Sequence, residues 1–216
     1  MTSDLDPDRI LALSYVSAAR RPALEALWRL DASLGAVLAG GREPMISRIK
    51  LAWWREALER LDGERAPAEP MLQALAGHVL PAGFAGAELA EMVEGWEILL
   101  SPEPLTGAEL ALYAEARGAR LFRLSARLLG GEPHPGAGER WALVDLARHS
   151  NETDADAAIA AASAQPRPAR WPARLRPLGM LAALAARDAD PARPRWERQG
   201  APGRMLRMLR VRLTGR

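Results

Sequence analysis

Cysteine is absent from the 216-residue chain, which excludes disulfides, thiolate metal sites and cysteine nucleophiles together. Histidine occurs only at His78, His134 and His149, too sparse for a histidine-rich metal centre. Lysine occurs once, as Lys50. Strand-forming Val, Ile, Thr and Tyr are scarce, and no run of about 18 apolar residues exists to span a bilayer. The N-terminal stretch carries Asp4, Asp6 and Asp8, opposite in sign to a signal or transit peptide. The expected location is therefore cytoplasmic, with peripheral attachment to the inner membrane as the other placement. What remains is rich in Ala and Leu, 49% hydrophobic overall, with Trp supplying seven of the eleven aromatics. That balance favours helix throughout and a core sufficient for one domain over residues 1–216.

The net charge of +2 conceals a reversal along the chain. Residues 1–166 hold 16 basic and 24 acidic side chains, whereas residues 167–216 hold 13 basic, all Arg, and 3 acidic. The basic, proline-rich C-terminal portion can dock on the acidic body, on an anionic membrane surface or on an acidic protein partner. Nucleic acid is not expected, because the body is acidic and carries no reader motif.

Helix signals punctuate the chain. Asp6 precedes Pro7 as an N-cap with proline at N1, and a second helix runs from Pro22 to Ala39. Further helices are expected over Met45–Leu61, Met71–Val79, Gly86–Leu100, Gly107–Leu129 behind a Thr106 cap, Glu139–Ser150 and Asp154–Ala164. A connector, Gln165–Pro177, leads to Leu178–Arg187 and Pro202–Thr214. About nine or ten helices without a strand make one orthogonal or bundle-like all-α domain.

Glu88, Glu91, Glu94 and Glu97 recur at three-residue steps, fanning over about 180° of a helix surface. Metal carboxylates need one face, so this series reads as a solvated acidic surface. In the 45–61 helix, Ile46, Ile49, Trp53, Ala57 and Leu61 are expected to form the buried stripe, with Arg48, Arg55 and Glu59 opposite. Lys50 lies about 40° from Ile46 and reads as snorkelling past that stripe or reaching an anion in a cavity. Trp53 and Trp54 are half-buried anchors in this reading. In the C-terminal helix Met205, Leu206, Met208, Leu209 and Leu213 share one broad side, with Arg204, Arg207, Arg210 and Val211 opposite. Such a helix packs on the core with snorkelling arginines or lies on an anionic membrane.

Arg29-Leu-Asp31, Arg42-Glu-Pro-Met45 and Arg48-x-x-Leu51-Ala-Trp-Trp-Arg-Glu-Ala-Leu58 together resemble the N-terminal part of the squalene/phytoene synthase family. Tyr113-x-x-x-x-Gly118, Leu128-Leu-Gly130 and the segment Ala142–His149 resemble its later motifs. The resemblance implies an isoprenoid-synthase-like helical domain in which Mg²⁺ ions, clamped between two aspartate-rich helices, stabilise a departing diphosphate. The family pattern asks for a second aspartate about four residues after Asp31, where this chain has Gly35. It asks for an Arg-Asp pair followed by Asp in the later motif, where this chain has Arg148-His149 and then Thr153. Asp31, Asp145, Arg148 and His149 are the degenerate motif positions, none expected to be catalytic, and Asp145 with His149 reads as a helix-surface ion pair. Arg29, Arg48, Lys50, Trp53 and Trp54 are the candidate substrate-binding residues.

No metal site and no cofactor are expected on this reading, Mg²⁺ entering only if the chain is an active prenyltransferase. A branch of the family related to a mitochondrial complex I assembly factor departs from the aspartate motifs in the same way. The resemblance to it implies a non-catalytic protein acting in partner binding or assembly at a membrane surface, with an isoprenoid as possible ligand.

Overall fold

The structure is a computed structural model that describes residues 5–40, 43–101, 104–167, 170–190 and 196–216. Asp4 and Arg42, both singled out in the sequence, lie outside these residues. All regular structure among the described residues is helical: α1 (Pro7–Ser14), α2 (Arg21–Ala39), α3 (Pro44–Arg60), α4 (Pro70–His78), α5 (Gly86–Ala90), α6 (Met92–Ile98), α7 (Gly107–Tyr113), α8 (Arg120–Leu129), α9 (Ala137–His149), α10 (Glu152–Ala164), α11 (Arg176–Asp188) and α12 (Pro202–Thr214). A π-helical segment, Ala114–Ala119, fuses α7 and α8 into one rod, and a single residue separates α5 from α6. Counted as continuous bodies, these are the nine or ten helices that the sequence suggests.

The ends form for the expected reasons. The Asp6 carboxylate accepts from the amides of Asp8 and Arg9, satisfying two of the free donors at the start of α1. Thr106 and Glu109 close a reciprocal capping box at α7. α2 is the axis of the core. It buries residues on nearly every side, including Leu24, Leu27, Trp28, Leu30 and Leu34, as a helix surrounded by others must. The Trp28 indole donates to Ser125 Oγ at 3.0 Å, tying α2 to α8 without orphaning a buried N–H.

The π segment lies against α9 through glycine on both sides. A Cβ on Gly118 would sit 2.3 Å from the Gly138 carbonyl oxygen, so only glycine permits this backbone contact. The extra residue of the π turn shifts the side chains after Tyr113 relative to an α-helix, and Arg117 lies within it.

Two amphipathic readings are overturned. In α3 the expected stripe faces outward, with Ile46, Ile49 and Trp53 44%, 63% and 49% exposed. The helix docks instead through Ser47, Leu51, half-buried Trp54 and Leu58, a face rotated by about a third of a turn. Ala57 and Leu61 are buried as expected. Lys50 is exposed, with no buried stripe to snorkel past.

The second correction concerns α12, which buries Arg204, Met208 and Val211 and leaves Leu206 and Leu213 in solvent. The reason is electrostatic. Arg204 Nε and Nη2 reach Asp8 at 3.0 and 2.9 Å, and Nη1 reaches Asp188 at 2.6 Å. These pairs turn the Arg204–Met208–Val211 stripe inward and dock the basic tail on the body.

Candidate functional site

A cavity of about 590 Å³ opens among α2, α6, α7, α9 and the chain before α1. Leu5, Ala36, Leu38, Leu99, Leu105 and Leu146 give it apolar walls. Arg9, Arg117 and Asp145 line it as well. Asp31 of α2 lies behind the two arginines and is fully buried.

Both Asp31 oxygens are occupied. Arg117 Nε donates to Oδ1 at 2.9 Å and its Nη2 to Oδ2 at 3.1 Å, while Arg9 Nη2 donates to Oδ2 at 2.9 Å. Arg117 Nη2 also lies 2.7 Å from Asp145 Oδ2 across the site, so one guanidinium bridges the two surviving motif aspartates. Burial opposes charge on Asp31, but Arg117 and Arg9 hold its carboxyl below the usual range. Asp145 behaves alike: desolvation opposes ionisation, and Arg117, Arg9 and His149 outweigh it.

An aromatic box completes the setting of Arg117. Its guanidinium carbon lies 4.0 Å from the Trp96 ring centroid, 4.9 Å from Trp141 and 5.7 Å from Tyr113. Arg117 Nη1 donates to the Tyr113 hydroxyl, whose pKa burial pushes up, so the phenol stays protonated. Gly35 explains how Trp96 fits. A Cβ at position 35 would lie 2.7 Å from Trp96 Cη2, so the indole covers the place where a second motif carboxylate would project.

These residues do not fit a divalent cation. An ion between Asp31 and Asp145 would take the place of Arg117, and oxygen ligands already committed to two guanidiniums are poor partners for Mg²⁺. Among the described residues no group of three or more His, Asp or Glu side chains is arranged to hold a metal. The arrangement can bind, through fixed positive charge, aromatic faces and apolar walls.

The remaining sequence candidates scatter. Arg148 turns away from the cavity to pair with Asp188 and with the Glu197 carbonyl. His149 is exposed at the cavity edge, and its Nδ1 lies 2.8 Å from the Asp145 backbone oxygen rather than the carboxylate. The expected Asp145–His149 side-chain pair is thus replaced by Asp145–Arg117. Arg29 pairs with Glu25 one turn away. Arg48, Lys50 and Trp53 sit on the outer face of α3, and Trp54 packs edge-on against Trp53 at 5.2 Å. None of these five lines the cavity. The glutamate series does face solvent, and each member is also paired: Glu88 with Arg127, Glu91 and Glu94 with Arg120, and Glu97 with Arg55. Sequence reasoning missed Arg9, Trp96 and Arg117. The available signal was Arg117 itself, one turn after Tyr113 and inside the Tyr113–Gly118 motif.

An all-α protein with a central cavity between helices that carry Asp31 and Asp145 is of the isoprenoid-synthase class. A sequence model of the squalene/phytoene synthase family matches residues 3–164, three quarters of the chain, and the chain belongs to that family. In comparisons with curated proteins and with solved structures, nothing matches it.

Proposed function

We propose that this chain is a non-catalytic member of the squalene/phytoene synthase family that acts by binding, in partner recruitment or assembly at a membrane surface. One observation carries the reading: Arg117 bridges Asp31 and Asp145 and takes up the carboxylate oxygens that a divalent cation would need for diphosphate chemistry. Gly35 and Trp96 support it, since the missing carboxylate is replaced by a ring that stacks on the same guanidinium. The apolar walls suit an uncharged isoprenoid held without metal. The membrane part rests on the outward Leu206 and Leu213 of α12, flanked by Arg210, on a protein none of whose described helices is long and apolar enough to cross a bilayer. A role like that of the complex I assembly factor fits this reading and rests on resemblance alone.

The test is to incubate the full chain with farnesyl or geranylgeranyl diphosphate and Mg²⁺. No diphosphate release is expected, and calorimetric binding of the corresponding alcohols should be indifferent to the metal. Metal-dependent turnover would overturn the reading. It would favour the alternative, an active Mg²⁺-dependent prenyltransferase, for which the openness of the cavity and the ionised state of Asp31 and Asp145 speak.

A further inference from the structure

A second cavity, of about 640 Å³, lies between α10, α11, α12 and the connector that precedes α11. Only Arg140 and Ser163 of its lining fall within the family-matched residues 3–164. Six arginines line it (Arg140, Arg167, Arg170, Arg187, Arg207 and Arg216) against one side-chain carboxylate in the lining, Asp190, and of the six Arg187 is already paired with Glu197 outside it. Trp171, Gly179, Ala183, Ala186 and Val211 give it an apolar side.

The walls are fixed before any ligand arrives. The Trp171 amide donates to the Gly215 carbonyl at 2.8 Å, and Arg170 Nε donates to the Thr214 carbonyl at 2.9 Å, clamping these two residues to the end of α12. Gly179 lets the Trp171 indole lie against α11, since a Cβ there would meet the ring at 2.6 Å. Arg140 is 3% exposed. Its Nε donates to the Ala162 carbonyl at 3.1 Å and its Nη2 to the Gln165 carbonyl. Its Nη1 is buried with no hydrogen-bond partner among the described residues. A buried guanidinium satisfied only by carbonyls, with one nitrogen left over, is costly unless an anion completes it. Burial and the neighbouring Arg167 push the Arg140 pKa down, against the pull of Glu139, which marks the same shortage of negative charge.

We infer that this arginine-lined cavity is a binding site for a phosphate-bearing anion, at least doubly charged, whose organic body packs on Trp171 and Val211. Guanidiniums converging from four segments match phosphate oxygens in fork geometry, whereas a monovalent carboxylate would leave most of the positive charge uncompensated. The two sources of such a group are a soluble phosphorylated metabolite and a phospholipid headgroup that bears a phosphomonoester. The site is independent of the central cavity and of its proposed role.

Calorimetry on the full chain at physiological salt, titrated with inorganic pyrophosphate, tests this. Saturable binding is expected, weakened at least tenfold in Arg167→Ser/Arg216→Ser and unchanged in the charge-matched control Arg48→Ser/Arg65→Ser. All four positions are exposed, so the melting temperatures of both variants should match the parent. Phosphatidylcholine vesicles containing phosphatidic acid, whose phosphomonoester headgroup can carry the second charge the site asks for, separate the sources when added as competitor. Displacement of pyrophosphate supports a headgroup at this site, and failure to displace it supports a soluble ligand. Absence of saturable pyrophosphate binding, or equal weakening in both double variants, overturns the inference.

Discussion

Arg117 decides what the central cavity can be. A guanidinium that touches two carboxylates, a phenol and two indoles is satisfied in nearly every direction, and each of those partners depends on it in turn. Asp31 shows the consequence. Replacing it with Asn leaves Arg117 and Arg9 buried without their shared counter-charge, and such broken pairs cost about 3–5 kcal/mol. The pH dependence follows from the direction of its pKa. The folded value lies below the ordinary 3.8, so the ion pairs contribute in full above about pH 4, and the contribution is lost as pH falls through the folded value. Urea titration from pH 7 to pH 2.5 should therefore show stability falling off below about pH 4. In Asp31→Asn the stability at pH 7 should be lower by the stated amount and the acid limb shallower. An unchanged acid limb in the variant would place the titrating groups elsewhere.

At the scale of elements, α3 makes the sharpest case. It carries apolar residues on two faces, Ile46, Ile49 and Trp53 on one and Leu51, Trp54 and Leu58 on the other. Period alone assigns helix correctly but cannot say which stripe is inside, because both satisfy three- and four-residue steps. The neighbours choose: Ser47 Oγ reaches the Val37 carbonyl at 3.4 Å, and Arg55 pairs with Glu97, fixing the rotation of α3. Ile49→Ser and Trp53→Ser should therefore stay within about 0.5 kcal/mol of the parent, while Leu51→Ala should cost about 2–5 kcal/mol. Chemical denaturation of the three variants checks this, and the opposite order would mean that α3 is rotated.

The same physics explains how much was legible beforehand. Helix ends were readable because caps are local, as at Asp6 and Thr106. Asp31 and Asp145 were readable as motif positions. Their partner Arg117 was not, because it stands 86 residues from Asp31 and no local pattern encodes that distance. The inward face of α12 was hidden for a related reason. An arginine reads as solvent-facing until Asp8, far along the chain, is seen to receive it.

Across the whole molecule, the basic tail meets the acidic body where Arg204 pairs with Asp8, while Asp188, itself in the tail, takes both Arg204 and Arg148 of the body. That internal docking uses the Arg204–Met208–Val211 stripe of α12 and leaves Leu206 and Leu213 outside, 69% and 75% exposed. An outward leucine pair beside Arg210 is the arrangement by which a basic amphipathic helix lies on an anionic bilayer, the leucines entering the headgroup region and each nearby arginine adding about 1 kcal/mol. Leu206→Asp/Leu213→Asp should therefore abolish flotation with vesicles containing phosphatidylglycerol while leaving the melting temperature unchanged, since neither side chain supports the core. Met208→Ala should do the reverse. It empties a fully buried position, costs about 2–5 kcal/mol, and preserves flotation of whatever fraction remains folded. Should the double leucine variant float as well as the parent, membrane contact lies on some other face of the protein, and α12 is a structural helix only.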